Sequence, residues 1–443
     1  LGGAYGGLYL GDIEYGGEVD FRRNQVLSNT AYLTGTTGGD YGGMYARLDE
    51  GGLLTMVDNL IAANEAQQSD AGLAVRLDDG SRLVMDHNTI AANTAVTDSA
   101  GVVIDGQDDS QYVLHRNRIV GNTAGGQTAG IYLYNDDPTE PLWGVSENNL
   151  IVNNDGPGLR VENMSFRGTN DTIADNVDVG IHMTGTVTAT AYLSNTILWG
   201  NAAAFSSAHP TTQTLMATYS DVQGGLSGTG NINQNPQFVG GGDYHLQQSS
   251  PAVDGAETAA APPIDLDGIP RPVPAGGEAD MGCYEWRLPG VDIGPNRSAT
   301  PDPGTTATFN HTLENAGNAQ DTFTLGASSA NGWAVHVTPS TATLPPAGTA
   351  TVTVTLDVPA GQPAGATDTV NVTAASVPNP AVVDAAQDDV TVALVPAVSL
   401  TPDRTAGALP GTMVVYEHTL TNDGNGSDTF HLSASSSQGW GTT

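Results

Sequence analysis

The chain has 443 residues, with 48 acidic and 13 basic side chains and a formal net charge of −35. Every basic residue is Arg, and only 14% of residues are charged, against roughly 25% in an ordinary soluble domain. This balance excludes nucleic-acid binding by phosphate neutralisation, which needs clustered cations, and it disfavours anionic membrane surfaces. Cations and neutral polymers such as glycans remain as partners. The single cysteine, Cys283, excludes an intramolecular disulfide framework and a thiolate metal cluster. No apolar run approaches the ~18 residues of a membrane span, so no membrane insertion is expected in this segment. The sequence opens inside a patterned stretch without Met, which predicts a mature product or a piece of a larger parent chain.

An internal repeat fills the first half. Asn24–Asn29 (Asn-Gln-Val-Leu-Ser-Asn) returns at Asn59–Asn64, Asn88–Asn93, Asn117–Asn122 and Asn149–Asn154, with looser copies at Asp171–Asn176 and Asn195–Asn201. A glycine keeps step with it at Gly7, Gly43, Gly72, Gly101, Gly130, Gly158 and Gly180. Positions one and three after each Gly are apolar, as in Leu73/Val75 and Ile131/Leu133. Positions two and four are mixed, as in Tyr45/Arg47 and Arg160/Glu162. Period two with one apolar face is a half-buried strand. One such strand per repeat predicts a parallel β-helix of seven or eight coils, a rod of roughly 35–40 Å at about 4.8 Å per coil. The Asn pairs are expected to take the left-handed corners and to bond amide to amide between coils.

The helix is expected to end between Tyr219 and Trp286. This stretch holds Tyr219-Ser-Asp-Val-Gln-Gly224, Asn231-Ile-Asn-Gln-Asn-Pro-Gln-Phe238, Asp243-Tyr-His-Leu246, Asp265-Leu-Asp-Gly268, Arg271-Pro272 and Asp280-Met-Gly-Cys-Tyr-Glu285. In order and content these pieces resemble the C-terminal end of bacterial right-handed parallel β-helix surface proteins of the polymorphic-outer-membrane-like group. The resemblance covers about residues 1–286. The sequence departs from it at Asn235, where the family usually has Asp, and at Cys283, where it has Ala. The resemblance implies a secreted or surface-exposed protein, in a family of which few members have a demonstrated activity.

Beyond a linker at Leu288-Pro289-Gly290, His311-Thr-Leu-Glu-Asn returns as His418-Thr-Leu-Thr-Asn, an offset of 107 residues that Trp333/Trp440 shares. Short alternating strands such as Ala350–Leu356, with turn clusters between them, predict Ig-like β-sandwiches. They resemble the Ig-like repeats of prokaryotic surface proteins, which implies a spacer or stalk. The expected fold class is therefore all-β, a right-handed parallel β-helix followed by Ig-like sandwiches. The domains are 1–286 for the helix with its capping segment, 291–397 for one sandwich, and 398–443 for the incomplete start of another.

The acidic pairs Asp49/Glu50, Asp78/Asp79, Asp108/Asp109 and Asp136/Asp137 follow successive marker glycines. Stacked about 5 Å apart they would repel by roughly 1–3 kcal/mol, and a hard cation with oxygen ligands would relieve this. The expectation is Ca²⁺ along this edge, as a stabiliser rather than a required cofactor. The plain alternative is a solvated turn. A second row precedes each Asn corner: Arg22/Arg23, Asp58, Asp86/His87, His115/Arg116 and Glu147. It reads as surface ion pairs, each worth about 0–1 kcal/mol, with a lyase groove as the alternative. Tyr9, Tyr41, Tyr45, Tyr132 and Tyr134 could stack sugars. Asp254, Asp265, Asp267 and Asp280 are expected to fix the turns of the terminal segment and cap the last coil. Asn-x-Ser/Thr sequons stand at Asn163, Asn170, Asn296, Asn310, Asn371 and Asn425. No catalytic residue emerges. The sequence predicts an extracellular structural or adhesive surface protein, with glycans or self-association into a fibre as partner chemistry. A secreted polysaccharide lyase or glycoside hydrolase with an Ig-like accessory module is the alternative.

Overall fold

The structure, a computed structural model, describes residues 6–31, 41–67, 70–126, 128–140 and 142–443. The chain divides into two compact units, Leu1–Arg287 and Leu288–Thr443.

The first unit is a right-handed parallel β-helix. Three eight-stranded parallel sheets run along it. The first sheet begins with Leu8–Ile13 and Met44–Leu48, the second with Glu18–Arg22 and Leu53–Val57, the third with Gln25–Leu27 and Leu60–Ala62. Alternation does the sorting. In Met44–Leu48, Met44, Ala46 and Leu48 are buried while Tyr45 and Arg47 face outward. Parallel register then stacks like on like, so that Met44, Leu73, Val102, Ile131, Leu159 and Ile181 form one inner column. The marker glycines have a steric cause. A Cβ on Gly43, Gly72 or Gly101 would sit 2.0–2.2 Å from the carbonyl oxygen of the same glycine one coil on, so the backbones can stack there only without side chains.

The asparagines form two ladders. In one, Asn59 Nδ2 donates to Asn88 Oδ1 (2.8 Å), Asn88 to Asn117 (3.0 Å) and Asn117 to Asn149 (3.0 Å). Each Oδ1 also accepts the backbone N–H of the Asn one coil earlier, and the backbone carbonyl of Met56 or Met85 takes the remaining amide proton. The second ladder runs from Asn29 through Asn64, Asn93, Asn122 and Asn154 to Asn176 and Asn201. The expectation that these asparagines occupy the left-handed corners is corrected. The left-handed residue is the one before: Arg23, Asp58, His87, Arg116, Asn148, Asn170 and Asn195 all have φ between 49° and 58°. That residue turns the chain, and the next side chain is thereby aimed inward. For the same reason Asn195 is a corner, and Thr196 stands opposite Asp171 in the ladder column.

Residues 219–286 do more than close the last coil. Leu226 and Val222 plug its end, and the segment then folds back along the outer side of the third sheet. Tyr244, Leu266, Cys283 and Tyr284 bury Leu150, Val152 and Ala174, and Leu246 and Met281 pack on Ile197. Later strands of this sheet are therefore apolar on both faces, as in Leu150–Val152. Asp265 accepts backbone N–H bonds from Asp267, Ile269 and Glu285, and Asp280 accepts those of Asp254 and Trp286. These carboxylates fix turns.

The second unit contains an Ig-like sandwich of a four-stranded and a five-stranded sheet around Phe309, Leu313, Phe323, Val352, Val354 and Val372. The repeated histidine has a structural role. Buried His311 joins the Pro295 carbonyl (3.0 Å) to Asp388 (3.0 Å). Residues beyond the sandwich form a hairpin of Val398–Thr401 with Thr419–Asn422.

Candidate functional site

The outward face of the first sheet gathers the polar and aromatic side chains of the helix. The register fixes two columns. One reads Tyr9, Tyr45, Ala74, Val103, Tyr132, Arg160, His182, Ser206, and the other Asp12, Arg47, Arg76, Asp105, Tyr134, Glu162, Thr184. From Gly43 to Gly180 these are the second and fourth positions after each marker glycine; a bulge between Leu10 and Asp12 brings Asp12, the fifth residue after Gly7, into the second column. Their mixed character gave no period to read. The site became legible only when parallel register laid them side by side.

Arginines organise this face. Arg47 lies 3.7 Å from Asp12, 3.2 Å from Asp49 and 3.5 Å from Asp78. Arg76 lies 3.0 Å from Asp78, 3.6 Å from Asp105 and 3.5 Å from Asp136. Burial pushes the Asp105 carboxyl up to about 6, against the opposing charge of Arg76. Farther along, Arg160 is paired with Glu162 at 2.7 Å and covers the Tyr132 ring at 4.6 Å, while the Tyr132 hydroxyl donates to Glu162 at 2.7 Å. Burial acts to raise Glu162, but hydrogen bonds from Tyr132 and Thr184 and the Arg160 charge hold it below its ordinary value. His182 is pushed down, first by burial and then by Arg160, and its Nδ1 meets Ser206 Oγ at 2.6 Å.

The acidic pairs fall on two sites rather than one. Asp49, Asp78 and Asp136 continue the outward face, where Arg47 and Arg76 engage them. Glu50, Asp79 and Asp108 sit at turn tips with φ of 45°, 47° and 57°, a conformation that short polar residues tolerate. The third pair is also out of step by one residue. Gln107 aligns with Asp78, because Gln107 donates to the Leu77 carbonyl as Asp78 does to Leu48, and Asp109 takes the place of Gly80. Like charge is felt at the tips. A hydrogen bond and charge from Asp49 raise Asp79, and burial with Asp49, Glu14 and Asp79 raises Glu50. Among the described residues, no group of three or more His, Cys, Asp or Glu side chains converges as a metal-ligand set.

The row before the Asn corners forms ion pairs. His87 meets Asp58 at 2.8 Å, Arg116 grips Asp86 with bonds of 2.9 and 2.6 Å, and His115 meets Glu147 at 3.1 Å. The tyrosines make two clusters rather than one platform. Tyr9 stacks on Tyr45 at 5.6 Å with Tyr41 beside it, and Tyr132 lies 5.9 Å from Tyr134, with Ala74 and Val103 between. The sequon residue Asn170 is buried and donates to the carbonyls of Asp280 and Gly282.

The geometry defines a right-handed parallel β-helix joined to an Ig-like β-sandwich. Residues 16–231 match the family model described as periplasmic copper-binding protein (NosD), and residues 292–393 match that of the VWA7 Ig-like domain. No curated protein matches the chain. Among solved structures, the PapD-like domain of human CEP192 is 20% identical, covering 23% of this chain and 83% of its own, with a TM-score of 0.19. The secreted serine protease VesC from Vibrio cholerae is 16% identical over 24% of each chain (TM-score 0.19). The YadV chaperone is 12% identical over 25% of this chain and 61% of its own (TM-score 0.18).

Proposed function

We propose that the protein is a non-enzymatic surface protein of the extracytoplasmic space, which adheres through the outward face of the first β-helix sheet and uses its Ig-like region as a spacer. The observation that carries this is the state of the arginines on that face. Arg47, Arg76 and Arg160 are each engaged by carboxylates, so the face offers a broad set of paired charges and tyrosines. A lyase needs an unengaged base beside a groove, and the chain has no Lys to serve as one. The strongly negative chain favours neutral glycans over acidic ones. The envelope location rests on the family matched by residues 16–231, described as periplasmic.

Copper in that family's description does not transfer to these residues. Copper takes imidazole and sulfur ligands, yet His87, His115 and His182 stand singly, engaged with Asp58, Glu147 and Ser206. Burial pushes the Cys283 thiol up to about 12, which disfavours the thiolate that a metal requires.

One observation favours the hydrolase reading: Asp105, whose carboxyl burial raises to about 6, shares Arg76 with a second carboxylate, Asp136, and paired carboxylates can serve as acid and base. The adhesive reading is tested by retention of the full chain on immobilised neutral and acidic polysaccharides and on whole cells. Retention on at least one neutral surface, weakened by Tyr45→Ala with Tyr132→Ala, supports it. Absence of retention on every surface overturns it.

A further inference from the structure

The outward face of the second sheet carries an apolar stripe along the rod. Its middle column reads Thr55, Val84, Val113 and Val145, and Arg167, Tyr192 and Met216 continue it. Trp143 stands in the next column, after Arg82 and Gln111. Trp143 is 60% exposed, Met216 57% and Tyr192 39%. On the third sheet an outward apolar face of the same kind is covered by residues 238–286. We propose that the second-sheet face is covered by a second copy of this chain, in a two-fold dimer whose β-helices lie face to face and antiparallel.

The argument is self-complementarity. A closed two-fold interface must match one patch to itself. Six strands carry this patch: Glu18–Arg22, Leu53–Val57, Arg82–Asp86, Gln111–His115, Trp143–Glu147 and Phe166–Thr169. A two-fold axis parallel to the strands, midway between the third and the fourth, lays the first strand on the partner's sixth, the second on its fifth and the third on its fourth. In the middle column Val84 then meets the partner's Val113, Thr55 the partner's Val145, and Asp20 the partner's Arg167. In the next column Leu53 meets the partner's Trp143, and Arg82 the partner's Gln111. In the third, Asp86 meets the partner's His115. No position sets like charge against like.

Other registers fail this condition. Sliding the partner by one coil sets Asp86 against the partner's Glu147 in one direction. In the other it sets Asp86 against the partner's Asp86 and Arg82 against the partner's Arg82. Charge therefore selects a single register. Arg167 is available for its part: its guanidinium lies over the Tyr192 ring at 4.8 Å, and among the described residues it has no carboxylate partner.

Shape and area agree with a weak dimer. Small β-branched side chains at the centre keep the face level, and packed sheets lie about 10 Å apart. Six coils at about 4.8 Å by three outward columns give roughly 500 Å² per copy, or about 1,000 Å² in all, the lower bound of a specific interface. The net charge of −35 on each copy opposes association at long range, but at 0.15 M salt that repulsion is screened beyond about 8 Å.

The test is sedimentation equilibrium of the full chain in about 0.15 M salt. A monomer–dimer equilibrium is expected, with a Kd on the order of 10–100 µM. Val113→Arg, which brings a charge against the partner's Val84, should raise the Kd by about tenfold or more, and Arg167→Glu, which opposes the partner's Asp20, by about threefold or more. Both should leave the melting temperature unchanged. Tyr45→Ala, on the first sheet, should leave the Kd unchanged. Register is read by mixing Val84→Cys and Val113→Cys chains with a short bismaleimide; Cys283 is buried. The mixed dimer is expected to cross-link in excess of either homodimer. A chain that stays monomeric to about 1 mM would overturn the proposal and leave the face to a partner of other chemistry. A dimer that Val113→Arg leaves intact, or homodimers cross-linked as readily as the mixed dimer, would overturn it as well.

Discussion

Asn149 meets a carboxylate where every earlier coil of its ladder offers an amide. Its backbone N–H and its Nδ2 both donate to Asp171 Oδ1, at 2.8 and 3.1 Å. The other oxygen, Oδ2, is buried without a partner, and burial pushes the Asp171 carboxyl up to about 7. In the unfolded chain the group titrates near 4. Between those values the folded state keeps a proton that the unfolded state has released, so stability falls as pH rises from about 4 to about 7 and is level above. Asp171→Asn should remove this loss. The new amide would point at the Ser146 carbonyl, which aligns with Leu114 and Met85. Denaturant unfolding at pH 8 should show a gain of about 1–3 kcal/mol, with little gain at pH 4.5. An equal gain at both values would show that the carboxyl does not titrate in this window.

Asn122 makes the converse point. Its Oδ1 accepts both N–H groups of Asn93, and its Nδ2 donates to the Ile90 carbonyl and to Asn154. Asn122→Ala would leave several buried groups unpaired, at about 1–3 kcal/mol each. A loss of about 3 kcal/mol or more is expected in thermal or denaturant unfolding. A loss below about 1 kcal/mol would mean that the ladder contributes little.

Gly144 exists for Tyr112. The buried Tyr112 ring occupies the inner column of the second sheet, and a Cβ on Gly144 would lie 2.3 Å from it. Overpacking of this kind costs about 1–3 kcal/mol, so Gly144→Ala should lower the melting temperature. Combining it with Tyr112→Leu should restore part of the loss, because the two sites share one volume. Strict additivity would place the strain elsewhere.

Calcium should have little to relieve. Arg47 and Arg76 already engage Asp49, Asp78 and Asp136, and Glu50 and Asp79 at the tips are exposed to solvent. Raising Ca²⁺ from none to a few millimolar is predicted to leave the melting temperature within about 1 °C; by linkage, a site filled well above its dissociation constant would add about 3 kcal/mol. A rise of several degrees, lost in Asp79→Asn with Asp108→Asn, would restore the calcium edge.

Much of the fold is written as period. The spacing of Asn24, Asn59, Asn88 and Asn117, with apolar positions one and three after each glycine, carries the coil, the inner columns and the ladders. Corner geometry was displaced by one residue, because spacing alone does not tell which of two adjacent positions turns the chain and which points inward. The return of residues 238–286 along the third sheet was visible only indirectly, as strands such as Leu150-Ile151-Val152 that lack an outward polar residue. The candidate face was the least legible. Tyr132, Arg160 and His182 belong to different repeats and share no motif, so only cross-coil register brings them together.

The most direct test of a binding face without chemistry is prolonged incubation of the full chain with the polysaccharides that retain it. Unsaturated products would be followed by ultraviolet absorbance and new reducing ends by colorimetric assay, with Asp105→Asn in parallel. Retention with no product above the buffer control is the predicted result. Product released by the native chain and abolished by Asp105→Asn would contradict the account and make the Asp105–Arg76–Asp136 cluster an active site.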